Sequence, residues 1–332
     1  MKYLYIFANL FITSQLANAQ NNHYHVDTIA LPPEISYSEN QFSGLQIAHK
    51  KLYLMSESRL QDKREAKLYF TKLSALAAYI EDTTKKTTFK KVKIFGLDSI
   101  ASKLQQLGQR FEGLEAFVID KQTVYFSVET DSPSPYCFLL KGKFKQAGIY
   151  LQPDFKTVIK PRKPDGSSIY NAGFEALSLI KNRLYAFYEY NYFDSNYVYS
   201  FNTDFAKNNT DSVAIAKLPF RITDITTIDS THFTAINFFF KGEGADTVYR
   251  LPLTDTISHA LIAKNNVYQN YCRLININLT NGQFNWVPLW EFPAANTGFN
   301  WEGIAAWKNG YFIINDKYTP ARPYNSVLLY VH

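Results

Sequence analysis

Residues 301–316 run Trp301-Glu302-Gly303-Ile304-Ala305-Ala306-Trp307, then Lys308-Asn309-Gly310, then Tyr311-Phe312-Ile313-Ile314-Asn315-Asp316. An aromatic, an oxygen-bearing, a small and an aliphatic residue open the stretch; a turn follows; an apolar-aromatic run then ends on a polar residue. Two antiparallel strands are the natural reading. The same grammar recurs at Phe42-Ser43-Gly44-Leu45, Phe111-Glu112-Gly113-Leu114, Phe174-Glu175-Ala176-Leu177 and Ile222-Thr223-Asp224-Ile225. The oxygen-bearing residue and the polar residue ending the second strand are 14 positions apart in four copies: Ser43 to Glu57, Glu175 to Glu189, Thr223 to Asn237, and Glu302 to Asp316. Glu112 to Glu129 spans 17, which a longer hairpin loop accounts for.

Working outward, each copy is followed by further strand-like runs. They are Ala66–Leu73 and Phe89–Phe95, Tyr136–Phe144 and Ile149–Ile159, Tyr197–Asn202 and Ser212–Leu218, and Tyr271–Leu279 and Phe284–Phe292. Four strands per repeat at this period predict an all-β chain, a five-bladed β-propeller of four-stranded blades. The last unit has three strands only, ending in Ser326–Val331. The run His25–Leu31 supplies the fourth, so an N-terminal strand completes the last blade and leaves no open edge. Six blades are the alternative if Thr247–Leu253 belongs to an extra unit, and a β-sandwich is the alternative to the repeat itself. Leu97, Ile100, Leu104 and Leu107 behind Asp98-Ser99 predict one short rim helix.

The 332 residues include 24 Tyr and 26 Phe, only 19% charged residues and two Cys. Such a chain is not disordered and not a disulfide scaffold. Cys137 and Cys272 fall in strands of non-adjacent units, which predicts two buried, unpaired thiols. Lys2, the apolar run Tyr3–Ile12 and Ala17-Asn18-Ala19 read as a signal peptide over residues 1–19, leaving one propeller domain over 20–332 and a secreted or periplasmic bacterial protein. The run is short for a membrane span, and no Cys marks a lipid anchor. A net charge of +6 without a basic stripe argues against nucleic acid. Lys85, Lys86, Lys90, Lys91 and Lys93 read as a solvated edge strand.

In a propeller the first strand of each unit lines the channel, so Ser43, Glu112, Glu175, Thr223 and Glu302 are expected to converge at one mouth. Converging carboxylates need a cation or protons, and an all-oxygen set suits one axial Ca²⁺. The competing reading makes the Glu side chains among them staples to neighbouring backbone amides. The residues ending the second strands, Glu57, Glu129, Glu189, Asn237 and Asp316, form a second ring. Together with Arg59, Lys317 and Arg322 it is the expected ligand-binding ring for a small anionic molecule or a protein partner.

The series Phe-Ser-Gly-Leu, Phe-Glu-Gly-Leu-Glu, Phe-Glu-Ala-Leu, Thr-Asp-Ile and Trp-Glu-Gly-Ile resembles the calcium-activated nucleotidases (apyrases). Its Glu-Gly-Leu and Glu-Gly-Ile copies are also similar to secreted bacterial phytase-like and esterase-like propellers. The resemblance implies a five-bladed propeller with Ser43, Glu112, Glu175, Thr223 and Glu302 as ligands of an axial calcium. Where the nucleotidases carry paired Asp and then Arg, this chain has Ser56-Glu57-Ser58-Arg59. Tyr188-Glu189-Tyr190 stands in place of their Arg pair. Two functions follow as expectations: a calcium-holding, ligand- or partner-binding module with an acidic, Tyr-rich mouth, or a calcium-dependent phosphoester or phosphoanhydride hydrolase.

Overall fold

The computed structural model describes residues 24–58, 65–131, 134–205, 210–316 and 325–332. The expected leader at residues 1–19 lies outside them, as do Arg59, Lys317 and Arg322. The chain folds as strands β1 (Val26–Ile29), β2 (Phe42–Ala48), β3 (Lys51–Ser56), β4 (Lys67–Lys72), β5 (Lys90–Phe95), β6 (Phe111–Asp120), β7 (Thr123–Thr130), β8 (Tyr136–Lys145) and β9 (Gly148–Ile159). It continues with β10 (Ala176–Ile180), β11 (Arg183–Phe187), β12 (Asn196–Asn202), β13 (Thr210–Ile215), β14 (Arg221–Thr227) and β15 (His232–Phe239). A minor hairpin, β16 (Ala263–Lys264) and β17 (Val267–Tyr268), precedes β18 (Tyr271–Thr280), β19 (Gln283–Glu291), β20 (Asn300–Trp307), β21 (Gly310–Asp316) and β22 (Leu328–Val331).

The expected layout of five separate four-stranded sheets needs correction. Hydrogen bonding gives one four-stranded sheet, β1-β22-β21-β20, and two eight-stranded sheets, β2-β3-β4-β5-β9-β8-β7-β6 and β10-β11-β12-β13-β19-β18-β15-β14. Each large sheet is two antiparallel runs fused by a short parallel pairing. Lys93, Ile94 and Phe95 pair with Gly148, Ile149 and Tyr150, and Ala214 and Ile215 pair with Gln283 and Phe284. The Lys-rich strand β5 is therefore no open edge over its second half. Phe95 and Tyr150 stack there with ring centroids 4.6 Å apart.

The first strands of the hairpins, β2, β6, β10, β14 and β20, touch one another in a closed cycle, the architecture of a propeller around an axis. The segment between β15 and β18 holds a 3₁₀ turn (Gly244–Tyr249), a short helix (Thr256–Ile262) and the β16–β17 hairpin, and adds no member to that cycle. β1 lies antiparallel on β22, with Val26 opposite Val331 and Ile29 opposite Leu328.

The core sits between the faces of neighbouring strand runs. Phe187, Phe233 and Phe284, all fully buried, meet with centroid separations of 5.3–6.2 Å. Side chains of this size each contribute about 2–3 kcal/mol on burial, which is how these interfaces hold without disulfides. Cys137 and Cys272 are buried and unpaired. A rim helix spans Leu97–Gln106 and buries Leu97, Ile100 and Leu104; Leu107 lies just past its end and is exposed. A second helix, Leu73–Glu81, follows β4 directly and covers the core with Leu76 and Tyr79. No helix among the described residues is long and apolar enough to cross a membrane.

Candidate carboxylate centre on the axis

The recurring motif has a backbone cause. In four of the five inner strands the oxygen-bearing residue is an extra residue in the ladder. Register shifts fall between Phe42 and Gly44, Phe111 and Gly113, Ile222 and Asp224, and Trp301 and Gly303, so Ser43, Glu112, Thr223 and Glu302 are bulged. A bulge bends the strand and re-aims a side chain. Glu175 occupies the matching place just ahead of β10. The small residue after the bulge permits close approach: a Cβ on Gly303 would lie 3.1 Å from the Gly44 carbonyl carbon.

The bulged residues then divide. Ser43 and Thr223 are buried, and their hydroxyls donate to backbone carbonyls of neighbouring inner strands, Ser43 to Leu114 at 2.8 Å and Thr223 to Trp301 at 2.7 Å. Asp224, the next residue on, accepts from three amides: Ile304 at 2.8 Å, Leu45 at 3.3 Å and Ile225 at 2.8 Å. One buried carboxyl thus ties together β2, β14 and β20. Burial drives its pKa well up, against the pull of those amides. On this side of the axis the short polar side chains fasten neighbouring inner strands to one another.

On the other side the carboxyls face each other. Oxygens of Glu115, Glu129 and Glu175 lie within 4.8 Å of one another. Glu115 is a residue the sequence reading passed over. A second bulge in β6, between Leu114 and Ala116, puts it out of step with its neighbours. Glu112, expected among the axial ligands, instead pairs with Arg110 at 3.5 Å and is not one of the three. The signal was present in Phe111-Glu112-Gly113-Leu114-Glu115-Ala116, the one copy of the motif with a second Glu three residues on. Gly113 leaves room for the crowding: a Cβ there would stand 2.8 Å from Glu57 Cγ and 2.9 Å from Glu115 Oε1.

These groups hold their protons to higher pH than ordinary carboxyls do. Burial first, then Glu175 and Glu57, push Glu115 well above the usual carboxyl range. Burial followed by Glu189 and Glu129 does the same to Glu175. Glu129 is raised to about 7 by burial, against the opposing charge of Lys160. Glu302, which accepts a hydrogen bond from Asn300, is also raised to about 7 by burial, against Arg221. Glu115 Oε1 is buried and has no hydrogen-bond partner among the described residues.

The expected outer ring also divides. Glu129 belongs to the central trio. Glu189 is buried, with Arg221 Nη1 at 2.8 Å and the Tyr249 hydroxyl donating to it at 2.8 Å. Asn237 is fully buried; its amide donates to the carbonyls of Pro219 and Arg221, and its oxygen accepts from Arg273. Glu57 passes the chain between inner strands, its amide bonded to Gln41 and its carbonyl to Leu114. Asp316 ends β21 opposite Asn300. Arg221 and Tyr249, neither of them singled out in the sequence, complete the Glu189 pair.

No family model and no curated protein matches the chain. Solved structures similar to it include a β-xylosidase, RS223, at 8% identity and TM-score 0.48, covering 92% of this chain and 94% of that one. CoXyl43, described as a GH43 β-xylosidase/α-arabinofuranosidase from a compost microbial metagenome, is 7% identical at TM-score 0.48, with 92% and 94% covered. A GH43_1 enzyme from Xanthomonas citri is 8% identical at TM-score 0.47, with 91% and 90% covered. Likeness this remote assigns no activity. None of the three is described as a nucleotidase or a phytase-like propeller, and the resemblance drawn from the Glu-Gly-Leu and Glu-Gly-Ile motifs is corrected on that finding. The two functions that rested on it, binding module and phosphoester hydrolase, are withdrawn with it. The residues explain the misreading: the motif encodes a bulge, which Ser43, Thr223 and Glu112 share without meeting at one centre.

Proposed function

We propose that the chain works through a hard divalent cation, Ca²⁺ first, held on the axis by Glu115, Glu129 and Glu175. One observation carries the reading: carboxylate oxygens of three residues lie within 4.8 Å of one another, and one of those residues, Glu115, has a buried Oε1 without a hydrogen-bond partner among the described residues. Ca²⁺ bonds oxygen at about 2.4 Å, so ligands on opposite sides of the ion stand about 4.8 Å apart. The donor set is all oxygen, which favours Ca²⁺ or Mg²⁺ over transition metals. A bound cation would replace the protons that now keep the trio from repelling. Calcium titration calorimetry tests this. Wild type binds one ion, and Glu175→Gln, which keeps size and removes charge, weakens binding about tenfold or more. Equal affinity in both proteins, or no binding at millimolar calcium, rejects the site.

A second reading has its own support in Glu129 and Glu302, both near 7. At neutral pH such carboxyls divide between protonated and ionised forms. That suits one to donate a proton while another activates water, the division of labour by which paired carboxyls cleave a glycosidic bond. Nitrophenyl glycosides assayed from pH 5 to 8 test it. A bell-shaped profile that loses one limb in Glu302→Gln supports the reading, and no turnover of any pentoside or hexoside in the panel rejects it.

A further inference from the structure

A second group of metal-capable side chains lies away from the axis, where the ends of the described chain meet. His25 and His332 face each other across the β1–β22 ladder: the His25 amide donates to the His332 carbonyl at 2.7 Å, and the His332 amide to the His25 carbonyl at 2.9 Å. Asp27, two residues along β1, projects on the same face as His25 because strand side chains alternate. Each imidazole takes one oxygen of its carboxylate: His25 Nε2 is 3.0 Å from Oδ1 and His332 Nε2 is 3.0 Å from Oδ2. The two rings meet edge to face at 5.4 Å, and the three ligand atoms all lie within 4.8 Å.

We propose that His25, Asp27 and His332 form a Zn²⁺ site that clamps β1 to β22. The donor chemistry is the opposite of the axial centre's. Two imidazoles and a carboxylate suit zinc rather than calcium, and three protein ligands leave a fourth tetrahedral position open to water. Tetrahedral zinc with bonds of about 2.0–2.1 Å needs neighbouring donors about 3.4 Å apart. The side chains are 70%, 36% and 37% exposed for His25, Asp27 and His332, so small rotations bring them to that spacing without disturbing a core. The His332 ring is already oriented. It stacks on Tyr330 at 4.8 Å and 16°, and the Tyr330 hydroxyl donates to the Trp307 carbonyl at 3.3 Å. Such outer contacts fix a ligand's ring plane and strengthen binding. Because two ligands, His25 and Asp27, stand just before and within β1 and the third, His332, just past β22, the ion would cross-link the β1–β22 pairing.

Zinc titration calorimetry at pH 7.5, with calcium saturating so that the axial carboxylates do not compete, tests the proposal. Wild type is expected to bind one zinc with a dissociation constant in the micromolar range. His332→Ala and Asp27→Asn, both at exposed positions, should each lose about tenfold or more in affinity. Zinc should also raise the melting temperature of wild type and leave that of His332→Ala unchanged, since an ion bound only to the folded ladder stabilises it by mass action. Co²⁺ in place of zinc should give the visible absorption of a tetrahedral site. Zinc bound equally well by the His25→Ala/His332→Ala double variant overturns the proposal, as does no binding by wild type below 100-fold the micromolar range.

Discussion

Two sides of one axis start from the same motif and end differently. Around β2, β14 and β20, Ser43, Thr223 and Asp224 spend their oxygens on backbone groups of neighbouring strands. Around β6, β7 and the start of β10, oxygens of Glu115, Glu129 and Glu175 instead lie within 4.8 Å of one another. The difference is one of partners. The short side chains of Ser43, Thr223 and Asp224 meet backbone groups of the adjacent strands and close hydrogen bonds there. Glu115, from the second bulge of β6, meets glutamates carried by β7 and by the residue ahead of β10. One side is therefore a structural clasp, and the other crowds carboxyls whose ionised forms need protons or a cation to coexist.

The clasp should show the largest effect. Asp224→Ala leaves three buried amides, on Leu45, Ile225 and Ile304, without their acceptor. At about 1–3 kcal/mol for each unsatisfied group, the variant should lose about 5 kcal/mol or fail to fold at 37 °C. Urea denaturation measures it; a loss below about 1 kcal/mol would mean the three strands are held by something else.

The carboxylate side should reveal itself through pH. Glu129 and Glu302 have folded pKa values of about 7, above the ordinary 4.5. Between those values the folded state binds more protons than the unfolded one, so this contribution to stability is full below about pH 4.5 and is lost as pH rises through about 7. In chelator the protein should melt about 3 °C or more lower at pH 8 than at pH 5, and Glu129→Gln should flatten the slope. Calcium should restore the pH 8 melting temperature if the axial cation reading is right. A wild-type melting temperature that rises from pH 5 to pH 8 in chelator would contradict the crowded-carboxyl picture.

The smallest effect separates the two bulged glutamates of β6. Glu112→Gln breaks a partly exposed pair with Arg110, and pairs of that kind are worth about 0–1 kcal/mol. Stability and calcium affinity should both stay near wild type. A calcium affinity as low as that of Glu175→Gln would return Glu112 to the centre and remove Glu115 from it.

The amino-acid sequence by itself determined the strands and the recurring place of the oxygen-bearing residue at the start of each hairpin. The period of the hairpins, the small residue after each oxygen-bearing one and the aromatic second strands are local features, and local features fix backbone conformation. The β4, β8, β12 and β18 runs and the rim helix from Leu97 could be read in the same way. Tertiary structure alone decided which oxygens meet. Whether Glu112 or Glu115 reaches the axis depends on a second bulge, set by how β6 pairs with β7; the chain shows that two glutamates are present but not which one that pairing turns inward. The fusion of outer strands into eight-stranded sheets rests on two or three parallel residue pairs between segments over fifty positions apart. Glu189 reads as a channel-mouth acid until Arg221 and Tyr249 arrive from other parts of the chain to enclose it. Contacts between distant segments set charge state and burial, and a side chain's chemistry follows from those two quantities more than from its own identity.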